Sequence, residues 1–350
     1  MRMRKSNFCS YFLTGIAEGC KFCVLGRKVV LFITGKCSRN CFYCSLSNKR
    51  KNKDVVWANE RKCLSVKDVI QEARDSEARG AGITGGDPLI KLERTLKYAK
   101  ALKKTFGEKF HIHIYLPTDK VTKEKLRKIA KYVDEVRFHP RFLDNNIEKE
   151  IEIIKMASLF WKNENIGIEM PLLPDKKEKT LEFIKKAEPF IGFVNLNELE
   201  ISDTNFDFMT KHYKINEDTY TIQNSVKAGL WILKQAERNK IKLNIHLLNI
   251  HLCTAKTKNL FQYKNRLKLR KISSFGFKTK EGTVRYFITD MKNKNKLKRF
   301  KKHIFIDKKR KRIILSEKII AKLIGKLKIY RVEELPTFDS TMIEREEIEA

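Results

Sequence analysis

Three cysteines crowd one short stretch, Gly35-Lys36-Cys37-Ser38-Arg39-Asn40-Cys41-Phe42-Tyr43-Cys44. Thiolates at C-x3-C-x2-C spacing can wrap one face of a cubane, because thiolates are the ligands iron–sulfur clusters require. Electron-carrying and structural clusters usually have four protein ligands, whereas three leave one iron open to a small molecule. The competing reading is zinc with a fourth ligand from elsewhere. Zinc motifs, however, favour paired C-x2-4-C elements across a spacer, and three cysteines within eight residues fit that poorly. The triplet therefore predicts a [4Fe–4S] cluster on Cys37, Cys41 and Cys44.

Six of the eight cysteines lie in the first 44 residues. Cys20-x2-Cys23-x2-Gly26 reads as a knuckle-like turn, a common way to present two thiolates to one metal. A second iron–sulfur cluster or a zinc ion is expected there, with Cys9 and Cys253 as further candidate ligands. The alternative is a set of buried thiols. A strand over 29–34 spans about 20 Å at about 3.3 Å per residue, which puts Cys23 near the far end of the sheet from Cys253. The four meet only if residues 24–28 double back.

The elements that must position these groups alternate. Strand-like runs occupy 29–34, 81–84, 111–116, 135–139, 166–170, 193–201 and 242–248. Helix-like runs lie between them at 66–79, 92–106, 123–132, 146–162, 176–188 and 219–239. Such alternation predicts a parallel sheet with right-handed crossovers, here a full barrel or a partial (β/α)6-type TIM barrel over residues 29–275. Barrels place chemistry on the loops after strands, and the cysteine triplet follows the first strand. One unit later comes Gly85-Gly86-Asp87-Pro88, a turn whose glycines let backbone approach a ligand and whose carboxylate can accept from an ammonium group. His111, His113 and Tyr115 alternate along the third strand and share a face. His139 and Glu169 stand near the ends of later strands.

On the triplet, on Tyr43 just before its last cysteine and on the Gly85-Gly86-Asp87-Pro88 turn, the sequence resembles the radical S-adenosylmethionine (SAM) superfamily. Further likeness lies in Glu18–Cys23, Lys53-Asp54, Ala58–Glu60, Gly80–Leu89, Phe110–Tyr115, Arg137–Pro140 and Asn195–Glu200. It points to uncharacterised archaeal members related to pyruvate formate-lyase activating enzyme, and covers most of residues 18–270. The resemblance implies that the open iron chelates SAM and passes an electron to its sulfonium, releasing a 5′-deoxyadenosyl radical that abstracts hydrogen. It places Tyr43 beside adenine and Gly85, Gly86 and Asp87, with Pro88 closing the turn, beside the methionine end. His113, Tyr115, His139 and Glu169 are candidates to touch SAM or substrate. An electron donor such as ferredoxin or flavodoxin is implied as a partner.

The formal charge is +33, from 75 basic and 42 acidic residues, a field that attracts polyanions. Between Lys292 and Arg312, twelve of 21 residues are Lys or Arg, with Phe300 and Phe305 among them. This stretch belongs to an expected small basic α+β module, 276–338, followed by a loose acidic tail, 339–350. Residues 1–28 are expected to form a separate metal-binding extension. No run of 18 apolar residues occurs, so no spanning helix and no membrane association are expected. The weakly apolar stretch after Arg2, Arg4 and Lys5 is broken by polar residues, so a cytoplasmic enzyme is expected. The leading expectation is a radical SAM enzyme acting on a macromolecule, with RNA such as tRNA ahead of peptide, protein or glycyl-radical activation. A non-catalytic, metal-stabilised RNA-binding protein is the alternative of another class.

Overall fold

A computed structural model describes residues 2–144, 147–238 and 248–349. They fall into two compact units, Met1–Tyr263 and Lys264–Ala350.

The first unit is an open parallel sheet of seven strands: β1 Lys28–Phe32, β2 Gly80–Thr84, β3 His111–Pro117, β4 Glu135–His139, β5 Ile166–Leu172, β6 Phe193–Glu198 and β7 Asn249–Cys253. They pair in sequence order from β1 to β7, and among the described residues the two ends do not pair directly. The antiparallel hairpin Val56–Ala58 and Arg61–Cys63 covers the β1 edge, and the short strand Tyr11–Phe12 pairs antiparallel with β7. Short antiparallel strands thus flank both ends of the parallel sheet. The sheet is the expected partial barrel. Its last strand begins at Asn249, and the sequence expectation of 242–248 falls almost wholly outside the described residues.

Strand periodicity explains the division of labour. One face carries Val29, Leu31, Ile83, Ile112, Ile114, Val136, Phe138 and Ile168, all fully buried. Against this face pack α2 Val66–Asp75, α3 Leu92–Phe106, α4 Lys123–Ile129, α5 Ile147–Lys155, α6 Lys177–Ala187 and α7 Ser225–Arg238. The other face, inside the barrel, carries Lys28, Val30, His113, Tyr115, Glu135, Arg137, Glu169 and Asn195. Apolar burial on the outside supplies the stability, leaving the inside free for polar groups.

Residues 1–28 are part of this unit and not a separate extension. Their helix, α1 Glu18–Val24, closes the floor of the barrel. Gly19 N donates to Glu135 Oε2 (3.0 Å), Phe22 stacks on His111 with ring centroids 5.6 Å apart, and Cys20 Sγ lies 3.3 Å from Asn195 Nδ2. Gly19 is required for this approach, because a Cβ there would lie 2.1 Å from His113 Nδ1 and 2.7 Å from the Arg137 guanidinium.

The second unit is an antiparallel sheet: β8 Val284–Asp290, β9 Ile304–Asp307, β10 Arg312–Leu315, β11 Ile329–Glu334 and β12 Met342–Ile348, in the order β9-β10-β8-β11-β12, with Phe277–Lys278 also on β8. Leu297, Ile313, Leu315, Ile319 and Ile329 form its core. Glu317–Lys322 forms a short 3-10 helix. The acidic tail is an edge strand, not a loose segment: β12 runs antiparallel to β11, and Glu346 takes Arg331 at 2.6 Å. Arg331 stands directly opposite Glu346, an opposite-charge pair that favours the pairing, while Glu333 faces Glu344.

Candidate active site

A cavity of about 560 Å³ runs through the barrel interior, within the range of small-molecule sites. Cys37, Cys41 and Cys44 line it, together with Tyr43, Gly85, Gly86, His113, Tyr115, His139 and Glu169. The structure therefore brings most of the sequence-predicted residues onto one wall or another of a single space. Asp87 and Pro88 do not line it. Asp87 is fully buried beneath the turn, where its Oδ1 accepts from Leu89 N (2.9 Å) and caps the short helix beginning at Pro88.

The glycine turn grips the cysteine loop through backbone. Gly86 N donates to the Thr34 carbonyl (2.7 Å) and Asp87 N to the Lys36 carbonyl (2.9 Å). A Cβ on Gly86 would stand 2.4 Å from Lys36 O and 2.8 Å from Gly35 O. Gly86→Ala must push the cysteine loop aside, at about 1–3 kcal/mol for overpacking. The expected outcome is a chain with unchanged far-ultraviolet circular dichroism that retains clearly less iron per chain after anaerobic reconstitution, measured by colorimetric iron assay.

Two further clamps hold the same loop. Arg39, in the middle of the triplet, reaches the ends of β3 and β4: its guanidinium donates to Thr118 Oγ1 (2.5 Å), to the His139 carbonyl (2.6 Å) and to Asp119. After β6, Thr204 Oγ1 donates to Cys44 O (3.2 Å), and Asn205 Nδ2 donates to Tyr43 O (3.2 Å). Arg39, Thr204 and Asn205 were missed in the sequence because nothing in their spacing tells a loop clamp from an ordinary polar loop residue.

Tyr43 and His139 form a linked pair. His139 Nδ1 lies 3.0 Å from the Glu169 carbonyl, which can only accept, so that nitrogen carries the proton. Nε2 is then the acceptor for the Tyr43 hydroxyl at 3.1 Å. Burial holds the His139 imidazole neutral, pushing it down to about 4, and burial likewise drives the Tyr43 phenol up. Both groups stay uncharged across the physiological range.

Deeper in, Arg137 is 1% exposed and bridges two carboxylates: Glu135 (2.5 Å) and Glu169 (2.9 Å). Asn195 and Asn197 complete Glu169, donating to it at 3.1 and 2.8 Å. This network fixes the orientation of Glu169 at the cavity wall.

Of the four cysteines expected to share a second metal, Cys20, Cys23 and Cys253 lie within electrostatic reach of one another. Cys23 lines the floor of the cavity, and Cys20 is buried against Arg137 and Asn195. Cys253 ends β7, where Thr254 Oγ1 also takes the Cys9 carbonyl (2.8 Å). Among the described residues no three His, Cys, Asp or Glu side chains stand close enough to hold a single metal ion. The triplet presents three thiols from one loop to a single cavity, and such an all-thiol donor set suits an iron–sulfur cluster. Cys37, Cys41 and Cys44 would hold three irons of such a cluster, and Arg39 N already donates to Cys37 Sγ at 3.4 Å, the kind of amide–sulfur contact that tunes cluster potentials.

Comparison with known proteins agrees with this geometry. The family model described as Radical SAM superfamily matches residues 31–187. A protein of Methanocaldococcus jannaschii that carries the name "Putative glycyl-radical enzyme activating enzyme" is 38% identical over 259 residues, covering 72% of this chain and 67% of its own length. Among the described residues no helix is long and apolar enough to cross a membrane.

Proposed function

Since the chain belongs to the radical SAM superfamily, we propose that it cleaves SAM reductively at the Cys37–Cys41–Cys44 site and uses the resulting radical to activate a protein at a glycine. Bound there, a [4Fe–4S] cluster supplies the electron for cleavage of SAM to methionine and a 5′-deoxyadenosyl radical. The carrying observation is that three thiols, the Gly85–Gly86 backbone and Tyr43 line one cavity at the C-terminal ends of parallel strands. Around it the chain contributes position and exclusion of water. The glycine turn, Arg39, Thr204 and Asn205 fix the cysteine loop; Tyr43 and His139 give an uncharged edge suited to a base; Glu169, held by Arg137, Asn195 and Asn197, offers carboxylate acceptors to a cationic group. The electron comes from a low-potential one-electron donor. The glycine target rests on the name of the 38% identical relative, which supports protein activation over the RNA modification that charge alone suggested.

The target is testable by isotope transfer. Reconstituted enzyme with dithionite and SAM is given the protein fraction of cells grown on Cα-deuterated glycine, or the RNA fraction of cells grown on deuterated nucleosides. Deuterium is expected in 5′-deoxyadenosine with the protein fraction. Label from the RNA fraction alone would transfer the assignment to RNA.

One observation favours RNA as a second reading. Ten Lys or Arg residues between 292 and 312 are exposed. Among the described residues Lys294, Lys296, Lys298, Arg299, Lys301 and Lys302 make no ion pair with a carboxylate. Filter binding of bulk tRNA should weaken with salt, with log affinity falling by about 0.7–0.9 per phosphate contact against log salt. Replacing Lys298, Arg299, Lys301 and Lys302 by Glu should flatten that slope. A flat response in the wild type would end this reading.

A further inference from the structure

Beneath the cysteine loop the cavity continues by about one strand length, roughly 20 Å, to α1. The superfamily reaction assigns no role to the residues found there. Val30 and Gly82 are among its walls, and Cys23, Lys28 and His113 stand at its base. Val30 faces the barrel interior yet is 39% exposed, so the space beside it is open. Lys28 is 4% exposed. Its ammonium donates to His113 Nδ1 (2.6 Å) and to the Gly19 carbonyl (3.2 Å).

Neither acceptor is charged, since burial keeps the His113 ring neutral. Among the described residues no carboxylate makes an ion pair with Lys28. The nearby acidic groups are already engaged: Arg137 holds Glu135 and Glu169, and Gly19 N and Asn197 take their other oxygens. An ammonium has three hydrogens. Two of them are used here on neutral acceptors, the Phe22 ring centre lies 5.9 Å from the nitrogen, and the side chain lines an open cavity. A buried charge without an opposite charge in contact is costly, and a ligand anion would supply that contact.

We propose that this lower chamber binds the carboxylate of a small molecule, with Lys28 as its anchor and the Cys23 thiol beside it. The reagent pair iodoacetate and iodoacetamide probes the site directly, because the two alkylate the same thiol and differ in one negative charge. Cluster-loaded full-length protein is treated anaerobically without SAM or reductant, and each cysteine is quantified by peptide mass spectrometry. Iodoacetate is expected to modify Cys23 about tenfold faster than iodoacetamide, after normalisation to free cysteine; this is the factor that one charge-assisted hydrogen bond supplies. Lys28→Met should abolish the preference, and acetate at constant ionic strength should slow the iodoacetate reaction.

The wild type carries its own control should Lys28→Met fail to fold. Burial pushes the Lys28 amine down to about 8; Cys20, Cys23 and Glu135 favour its charge, Arg137 opposes it, and His111 and His113 face it from β3. The ammonium is present below that value and lost above it, so the iodoacetate-to-iodoacetamide ratio should fall as pH rises through about 8. Thiol ionisation cancels in the ratio. Equal normalised rates at every pH, or protection by inorganic phosphate but not by acetate, would overturn the proposal. Because no SAM is cleaved in this experiment, its failure leaves the proposed function standing.

Discussion

Cys41→Ala is expected to abolish formation of 5′-deoxyadenosine, lowering the rate by more than about 10³-fold, a modest part of the 10⁶-fold or greater acceleration typical of enzymes. The reason is geometric. Cys41 lies between the other two thiols in sequence, on a loop held from three sides: by the glycine turn through the Thr34 and Lys36 carbonyls, by Arg39 across β3 and β4, and by Thr204 and Asn205 after β6. A loop so fixed cannot recruit a replacement ligand. Iron and sulfide content, the low-temperature electron paramagnetic resonance signal of the reduced protein and chromatographic product analysis should all fall together. Cys20→Ser, on the floor of the barrel, should keep its iron. Wild-type iron in Cys41→Ala, or loss of the cluster in Cys20→Ser, would contradict the assignment of the triplet.

Arg137→Met should be the most damaging single change outside the cysteines. The guanidinium is enclosed by Tyr115 and Phe193, each with its ring centre 5.4 Å away, and by the two carboxylates. Methionine fills much of the volume but leaves Glu135, itself 1% exposed, without its cation. Removing one partner of a buried ion pair costs about 3–5 kcal/mol, a large share of the about 5–15 kcal/mol that holds a protein folded. A shift of the urea unfolding midpoint to clearly lower concentration is expected. Replacing Glu135 by Gln in the same chain should restore part of the loss, because the stranded charge is then gone. A midpoint unchanged in Arg137→Met would mean that the network contributes little.

The sheet, its strand order and the cluster loop were legible in the sequence because each rests on a local signal. Apolar alternation marks the strands, and cysteine spacing marks the ligands. His113, Tyr115, His139 and Glu169 could be placed near the site by strand parity alone. The floor was not legible. Lys28 lies just before the expected strand over 29–34 and carried no signal of its own, because the sequence does not show that α1 turns back beneath the barrel. Likewise, Asp87 reads as a ligand in the motif but serves as a cap, since the carboxylate of a turn can bond its own backbone as readily as a substrate. The acidic tail failed for the opposite reason. Its charges suggested a loose segment, whereas Arg331 on the neighbouring strand and Lys328 just before that strand answer them at 2.6 and 3.4 Å.

That α1 closes the barrel has a consequence for how the chain is assembled. The helix is made early in synthesis, yet its contacts are with residues far along the chain: Gly19 with Glu135, 116 positions away, and Cys20 with Asn195, 175 positions away. Ser10, just before it, waits for His251. Contacts of such separation form late, because the entropy of closing long loops must be overcome first. This helix leaves the ribosome before the strands it packs against and is therefore among the last elements to find its place, and until β6 has been made the nascent barrel lacks its base.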